Sequence, residues 1–159
     1  MAELRAAFRG EVLAPGEPGY DAARQILNAM FDCRPALDAR CATAGDIAAS
    51  VGFAQSRGPI VSVRGGGHNV SGKSVVYGGL MIDLAPMKGC RIDPARRTAR
   101  AEPGLTLVEF DHDCQAFGLA TPMGAVSPPG IAGLTLGGGI GWLSGSTASP
   151  ATICCRSTS

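Results

Sequence analysis

Arg64-Gly65-Gly66-Gly67-His68-Asn69 is the stretch that decides how this 159-residue chain is read. It follows a short, mostly β-branched run, Ile60-Val61-Ser62-Val63. Three consecutive glycines let the backbone take positive φ and approach a ligand with no Cβ in the way. Successive N–H groups in such a turn form a nest for an anion, so the pattern points to a phosphate or pyrophosphate. His68 stands directly behind the glycines on the same loop. A ligand with phosphates at one end and a reactive ring at the other, such as a flavin dinucleotide, suits this order of groups.

Upstream, Thr43 reads as a helix N-cap with Asp46 three residues on, a weaker form of the capping box. The helix it opens carries Ile47, Val51 and Ala54 on one stripe and stops at Gly58-Pro59. With strands expected at Leu37–Ala42 and Ile60–Val63, the order strand–helix–strand reads as a βαβ unit with parallel pairing. Further back, a helix is expected from Asp21 to about Phe31, with Tyr20, Ala23, Leu27, Met30 and Phe31 inward and Arg34-Pro35 ending it. Residues 1–19 read as turn-rich, with a loop at Pro15–Gly19.

Downstream, Leu80–Leu84 reads as a buried strand. Cys90–Asp93 and Thr98–Glu102 flank Pro94–Arg97 as a hairpin. Leu105–Phe117 has helical periodicity at Leu107, Val108, Asp111 and Ala116, with Gly118 as its C-cap. From Gly124 to Gly141 the chain is rich in glycine and proline, and no repeat of fixed period is found.

Composition narrows the function. Hydrophobic residues at 45% and charged residues at 17% describe a globular chain. A net charge of +1 and 5% aromatics argue against a nucleic-acid partner, which needs a basic face or a stacking platform. No apolar run approaches the roughly 18 residues that span a bilayer. The start, Met1-Ala2-Glu3-Leu4-Arg5, lacks the pattern of a secretory signal, so a cytoplasmic location is expected. Cysteines 33, 41, 90, 114, 154 and 155 include no C-x-x-C pair, and His68 and His112 are the two histidines. Free thiols are expected, and a metal site is not.

Two nucleotide patterns compete for the glycines. The fingerprint G-x-G-x-x-G fails, because it needs glycine where Val70 and Trp142 stand. The P-loop pattern G-x-x-x-x-G-K-[ST] is satisfied by Gly67–Ser74. A P-loop must open a helix at its Lys-Ser so that the N-terminus faces the phosphates. Lys73-Ser74 leads instead into Val75-Val76-Tyr77-Gly78-Gly79, a poor helix start, and Ile82-Asp83 is the one candidate for a magnesium-binding strand end. A P-loop-like nucleotide-binding protein is therefore the weaker alternative.

The order and spacing of four stretches carry a closer resemblance: Arg64–Asn69, Gly79–Lys88, Ala116–Pro122 and Gly130–Trp142. Residues 34–143 resemble the first part of the FAD-binding domain of the vanillyl-alcohol oxidase/PCMH superfamily, nearest its berberine-bridge-enzyme-like FAD-linked oxidases. The resemblance implies an α+β, PCMH-type FAD-binding domain: a first α/β subdomain built on the βαβ unit, plus the start of a second subdomain. It implies FAD held by Arg64, Gly65, Gly66, Gly67, His68, Asn69 and Gly72, and by Val126, Gly130, Gly133, Leu134, Gly137 and Gly138. In such proteins the histidine matching His68 is commonly joined to the flavin 8α-methyl. Some members add a link from a cysteine at the position of Val126, so a second, cysteinyl link is not expected. The implied activity is a flavin-dependent oxidase that takes a hydride from a small-molecule substrate to flavin N5 and returns electrons to dioxygen. An FAD-binding module without catalysis is the other alternative. The catalytic base and the substrate pocket come from later parts of the family's chains, so no catalytic residue is expected here.

The chain reads as residues 1–33, an N-terminal segment with one helix; 34–144, a partial FAD-binding domain; and 145–159, a tail unlike the family. Back-translated with GC-rich codons, in keeping with 12 Arg to 2 Lys, and read one nucleotide earlier, this tail becomes Arg-Lys-His-Gly-Leu-Thr-Cys-Asp-Asn-Leu-Leu-Ser-Val-Asp-Leu. That continues the family pattern, so a frameshift after Ser144 and an inactive, truncated chain are expected.

Overall fold

The computed structural model describes residues 1–144, so the expectation for the tail lies outside the described residues. The chain divides into two compact units, Met1–Met87 and a second beginning at Lys88.

The first unit is a four-stranded mixed sheet with helices. Its elements are α1 (Ala2–Ala6), β1 (Glu11–Leu13), α2 (Tyr20–Ala23), β2 (Leu37–Arg40), α3 (Ala44–Arg57), β3 (Val61–Arg64) and β4 (Leu80–Asp83). The sheet order is β1-β2-β4-β3. β4 runs parallel to β2 and to β3, while β1 pairs antiparallel with β2. The expected βαβ unit is thus a split one: β2 and β3 do not pair with each other, because β4 lies between them. β4 can take this place because it is buried on both faces, as four consecutive apolar or ion-paired residues permit.

α3 forms as expected. The Thr43 hydroxyl accepts from the Asp46 N–H, and Asp46 answers the Thr43 N–H at 2.9 Å. Gly58, at φ +71, ends the helix. Its inward stripe differs from the expected one. Val51 faces solvent, and Ile47, Ser50, Phe53 and Ala54 face in. They pack on one sheet face, made by Leu37, Ala39, Leu80 and Ile82, with Leu4 and Met87 completing the core.

The other sheet face carries mostly polar residues, and most of them are buried. Asp38, Met81 and Ser62 lie in one row across β2, β4 and β3, and Arg40, Asp83 and Arg64 in the next. Leu13, Tyr20 and Ala23 form a small cluster of their own. β3 therefore buries Ser62 and Arg64 and leaves Val61 and Val63 partly exposed, as its place at the sheet edge allows.

The N-terminal expectations need correction. Residues 1–19 hold α1 and β1 in addition to the loop, and the helix expected over Asp21–Phe31 stops at Ala23. Leu27 and Met30 face solvent, 61% and 88% exposed. The reason is competition for backbone groups: Ala23 and Gln25 carbonyls accept from Arg64, and the Leu27 N–H donates to Gly67 at 3.0 Å. Bonds to a distant strand replace the helical i→i−4 bonds.

The second unit contains a hairpin of β5 (Cys90–Asp93) and β6 (Thr98–Ala101), then α4 (Leu107–Gln115) and α5 (Ile131–Gly137). Thr106 and Glu109 cap α4 with a capping box. Leu119 N–H bonds to Cys114 O and Gly118 N–H to Gln115 O, with Gly118 at φ +63, so the expected glycine closes the helix in a Schellman motif. Leu107, Phe110, Cys114 and Ile131 make the core, whereas Val108 faces outward, contrary to the expected stripe. α5 arises within the glycine-rich stretch, where no helix was expected. Among the described residues no helix is long and apolar enough to cross a membrane.

Candidate flavin site

β3 and β4 end side by side at Arg64 and Asp83, which are register partners. Ligands of open parallel sheets bind beyond such carboxyl ends. The chain leaves β3 there through Gly65-Gly66-Gly67-His68-Asn69. Gly67 has φ +68, which only glycine adopts without strain. The N–H groups of Gly65, Gly66, Gly67, His68 and Asn69 donate to no acceptor among the described residues. Five consecutive donors left open at a strand end are the groups that an anion-binding nest needs.

Two carbonyls of the loop and its exit are, in contrast, engaged from residues 27–28. Gly67 O accepts from Leu27 N–H at 3.0 Å, and Val70 O from Asn28 Nδ2 at 2.8 Å. Asn69 folds the following turn: its Oδ1 accepts from Ser71 Oγ and from Lys73 N–H, each at 2.9 Å. Gly72, at φ +71, packs under the Phe31 ring, where a Cβ would collide. His68 is half-buried, and its ring makes no hydrogen bond among the described residues.

Arg64 points inward. Its Nε and Nη2 donate to the two Asp83 oxygens at 3.0 and 2.8 Å, and Nη1 donates to Ala23 O and, at 2.8 Å, to Gln25 O. The Arg64 side chain is 11% exposed and that of Asp83 is not exposed at all. A buried ion pair survives only with good geometry and its remaining donors satisfied, and this bidentate pair meets both conditions. Sequence reasoning did not foresee the Asp83 partnership or the contribution of residues 23–31. The one available signal was that Arg64 and Asp83 each end a short strand; nothing local marks Leu27 or Asn28.

The remaining expected residues belong to the second unit. Gly130 precedes α5 with extended backbone, and its N-terminal neighbour Pro129 accepts from Leu107 N–H at 2.9 Å. Leu134 packs on the second core, while Val126 is exposed. A Cβ built on Gly133, Gly137 or Gly138 meets nothing within 4 Å, and Gly138 has φ +86. Internal packing therefore does not demand glycine at 133 or 137.

The P-loop alternative fails on structure. Residues 71–79 form turns and bends with no helix, so Lys73-Ser74 has no helix N-terminus behind it. Asp83, the candidate for magnesium, is committed to Arg64. Among the described residues no group of three His, Cys, Asp or Glu could hold a metal ion.

Comparison with known proteins agrees with this geometry. Residues 35–157 match the family described as FAD binding domain. (R)-6-hydroxynicotine oxidase of Paenarthrobacter nicotinovorans is 40% identical over 136 residues, which cover 86% of this chain and 30% of that protein. The crystal structure of 6-hydroxy-D-nicotine oxidase from Arthrobacter nicotinovorans gives a TM-score of 0.88 at 38% identity, covering 91% of this chain and 32% of that one. BBE-like 1 of Physcomitrella patens gives 0.89 at 26% identity, covering 95% and 33%. The chain thus spans about a third of the length of the relatives it matches. An α+β sheet with a glycine loop beyond its parallel strand ends, matched over most of its length, makes this chain a member of the PCMH-type FAD-binding domain family of FAD-linked oxidoreductases.

Proposed function

We propose that this chain is the cofactor-holding part of a flavin-dependent oxidase. In this reading FAD lies against Gly65–Asn69, and His68 is its covalent anchor through the 8α-methyl. The observation that carries the reading is the run of open N–H groups from Gly65 to Asn69, which a pyrophosphate would satisfy. The unbonded His68 ring on the same loop supports the anchor, because a neutral imidazole nitrogen is a nucleophile. Gly133, Gly137 and Gly138 support close approach of backbone to the cofactor, since the chain's own packing leaves room for a Cβ there. Valine at 126 leaves a single covalent link.

FAD, when bound, supplies the hydride acceptor at N5 and passes the electrons to dioxygen. The chain's part is to bind the diphosphate, orient the ring through His68 and hold backbone against the cofactor. No residue of either loop is assigned as acid or base. The relatives include a 6-hydroxynicotine oxidase, which supports a small-molecule substrate for the whole protein. Cys33, Cys41, Cys90 and Cys114 are free thiols, which suits a reducing compartment such as the cytoplasm.

Acid-precipitated protein from cells supplied with riboflavin should retain flavin fluorescence, and His68→Ala should release it. Flavin retained by the alanine variant would refute the anchor.

A further inference from the structure

We propose that residues 23–31 form a strap that presets the cofactor loop, and that Arg64 fastens this strap as a positioning residue instead of touching the cofactor. The proposal rests on the reading of Gly65–Asn69 as the FAD site.

Four kinds of attachment join strap and loop. Arg64 Nη1 holds the carbonyls of Ala23 and Gln25 while the rest of its guanidinium grips Asp83 at the end of β4. Leu27 N–H holds Gly67 O. Asn28 Nδ2 holds Val70 O. The Phe31 ring backs Gly72. The strap is itself closed by buried Arg24, which donates to Asp21 Oδ1 at 2.8 Å, to Asp32 and to Cys33 O at 3.0 Å.

These attachments set the direction of two backbone N–H groups, those of His68 and Ser71. In a trans peptide the C=O and the N–H point opposite ways. With Gly67 O drawn to the strap, the His68 N–H in the same peptide plane must face away from it. With Val70 O drawn to Asn28, the Ser71 N–H does likewise. The strap thus takes the Gly67 carbonyl and leaves the His68 amide for an anion, which lowers the ordering cost that an unfastened glycine loop would incur on binding. Arginine suits the fastening position because its planar fork can serve a carboxylate and two carbonyls at once; a lysine ammonium is a single point of charge.

The test titrates FAD against the 159-residue chain carrying His68→Ala, which keeps binding reversible, reads flavin fluorescence, and follows the Leu27 amide by hydrogen exchange; the variants below are made in this background. Arg64→Lys and Asn28→Ala should each weaken FAD binding roughly three- to tenfold, the worth of one net hydrogen bond. Arg64→Lys should also speed Leu27 exchange, while Lys73→Ala, on the exposed side of the loop, should change neither. Asn28 is only partly buried and its bond to Val70 O is exposed, so its alanine variant keeps the test alive should Arg64→Lys fail to fold. Wild-type affinity in both variants, with Leu27 protection retained, would overturn the strap. If the wild-type chain binds no FAD, the FAD reading falls. Leu27 exchange in Arg64→Lys then still decides the strap: faster exchange upholds it, and unchanged protection overturns it.

Discussion

Asp38→Asn should make the protein more stable at neutral pH and alter it far less in acid. Asp38 lies in β2, fully buried, and neither of its carboxylate oxygens has a hydrogen-bond partner among the described residues. Burial is the main force raising its pKa, and the charge of Asp83 in the adjacent row adds to it. Arg64 and Arg40 pull the other way, and the outcome is a rise from 3.8 to about 7. The folded state therefore holds this proton more tightly than the unfolded chain does. The stability that comes with it is fully present below pH 3.8, drains away as pH climbs, and is gone once pH passes about 7. A rise of about three pH units is worth roughly 4 kcal/mol. Asparagine keeps the shape and cannot ionise, although its amide inherits the same lack of partners. The stability gap between variant and wild type should accordingly move in favour of asparagine by about 2–4 kcal/mol between pH 4 and pH 8. Urea unfolding of both proteins at pH 4, 6 and 8 measures this directly. A gap independent of pH, or one moving against asparagine as pH rises, would refute the argument that Asp38 is buried without a counter-partner.

Asp46 should behave in the opposite sense. Burial works to raise its pKa, but N–H donors from Arg9 at 2.7 Å and from Ala42 and Thr43 at 2.9 Å outweigh it and hold the carboxyl below its usual range. Its contribution is present above the usual carboxylate value and is lost as pH falls through the depressed one, so Asp46→Asn should cost about 2–3 kcal/mol at pH 7 and less at pH 2, read from urea midpoints. Leu136 and Ile140 are 84% and 83% exposed, an apolar surface that favours association. Leu136→Glu combined with Ile140→Lys should reduce the particle size seen by light scattering; unchanged scattering would exclude this surface as the cause of any association.

The parts legible in the sequence are those whose signals are local. Thr43 with Asp46 foretold α3, Gly58 and Gly118 foretold two helix ends, and Pro94–Arg97 foretold the hairpin, because caps and turns are decided by residues three or four apart. The glycine loop was equally legible, since three glycines after a strand leave few other conformational uses. The helical stripes were read less well. Periodicity alone favoured Val51 and Val108, yet the buried faces run through Ser50 and Phe110, because neighbouring elements choose which side of a helix is covered.

By itself, then, the sequence determined the class of fold, the glycine loop with His68 beside it, and the family to which both belong. The tertiary structure alone decided the rest. It inserted β4 between β2 and β3, a choice made by sheet burial and not by chain order. It turned Arg64 inward to Asp83, because two opposite charges end neighbouring strands in register. It also unwound the helical pattern of residues 24–31, whose backbone groups are claimed by Arg64 and Gly67 from some forty residues away. A hydrogen bond between distant segments has no local signature, and it prevails over propensity wherever it satisfies a buried donor that the helix would leave unpaired.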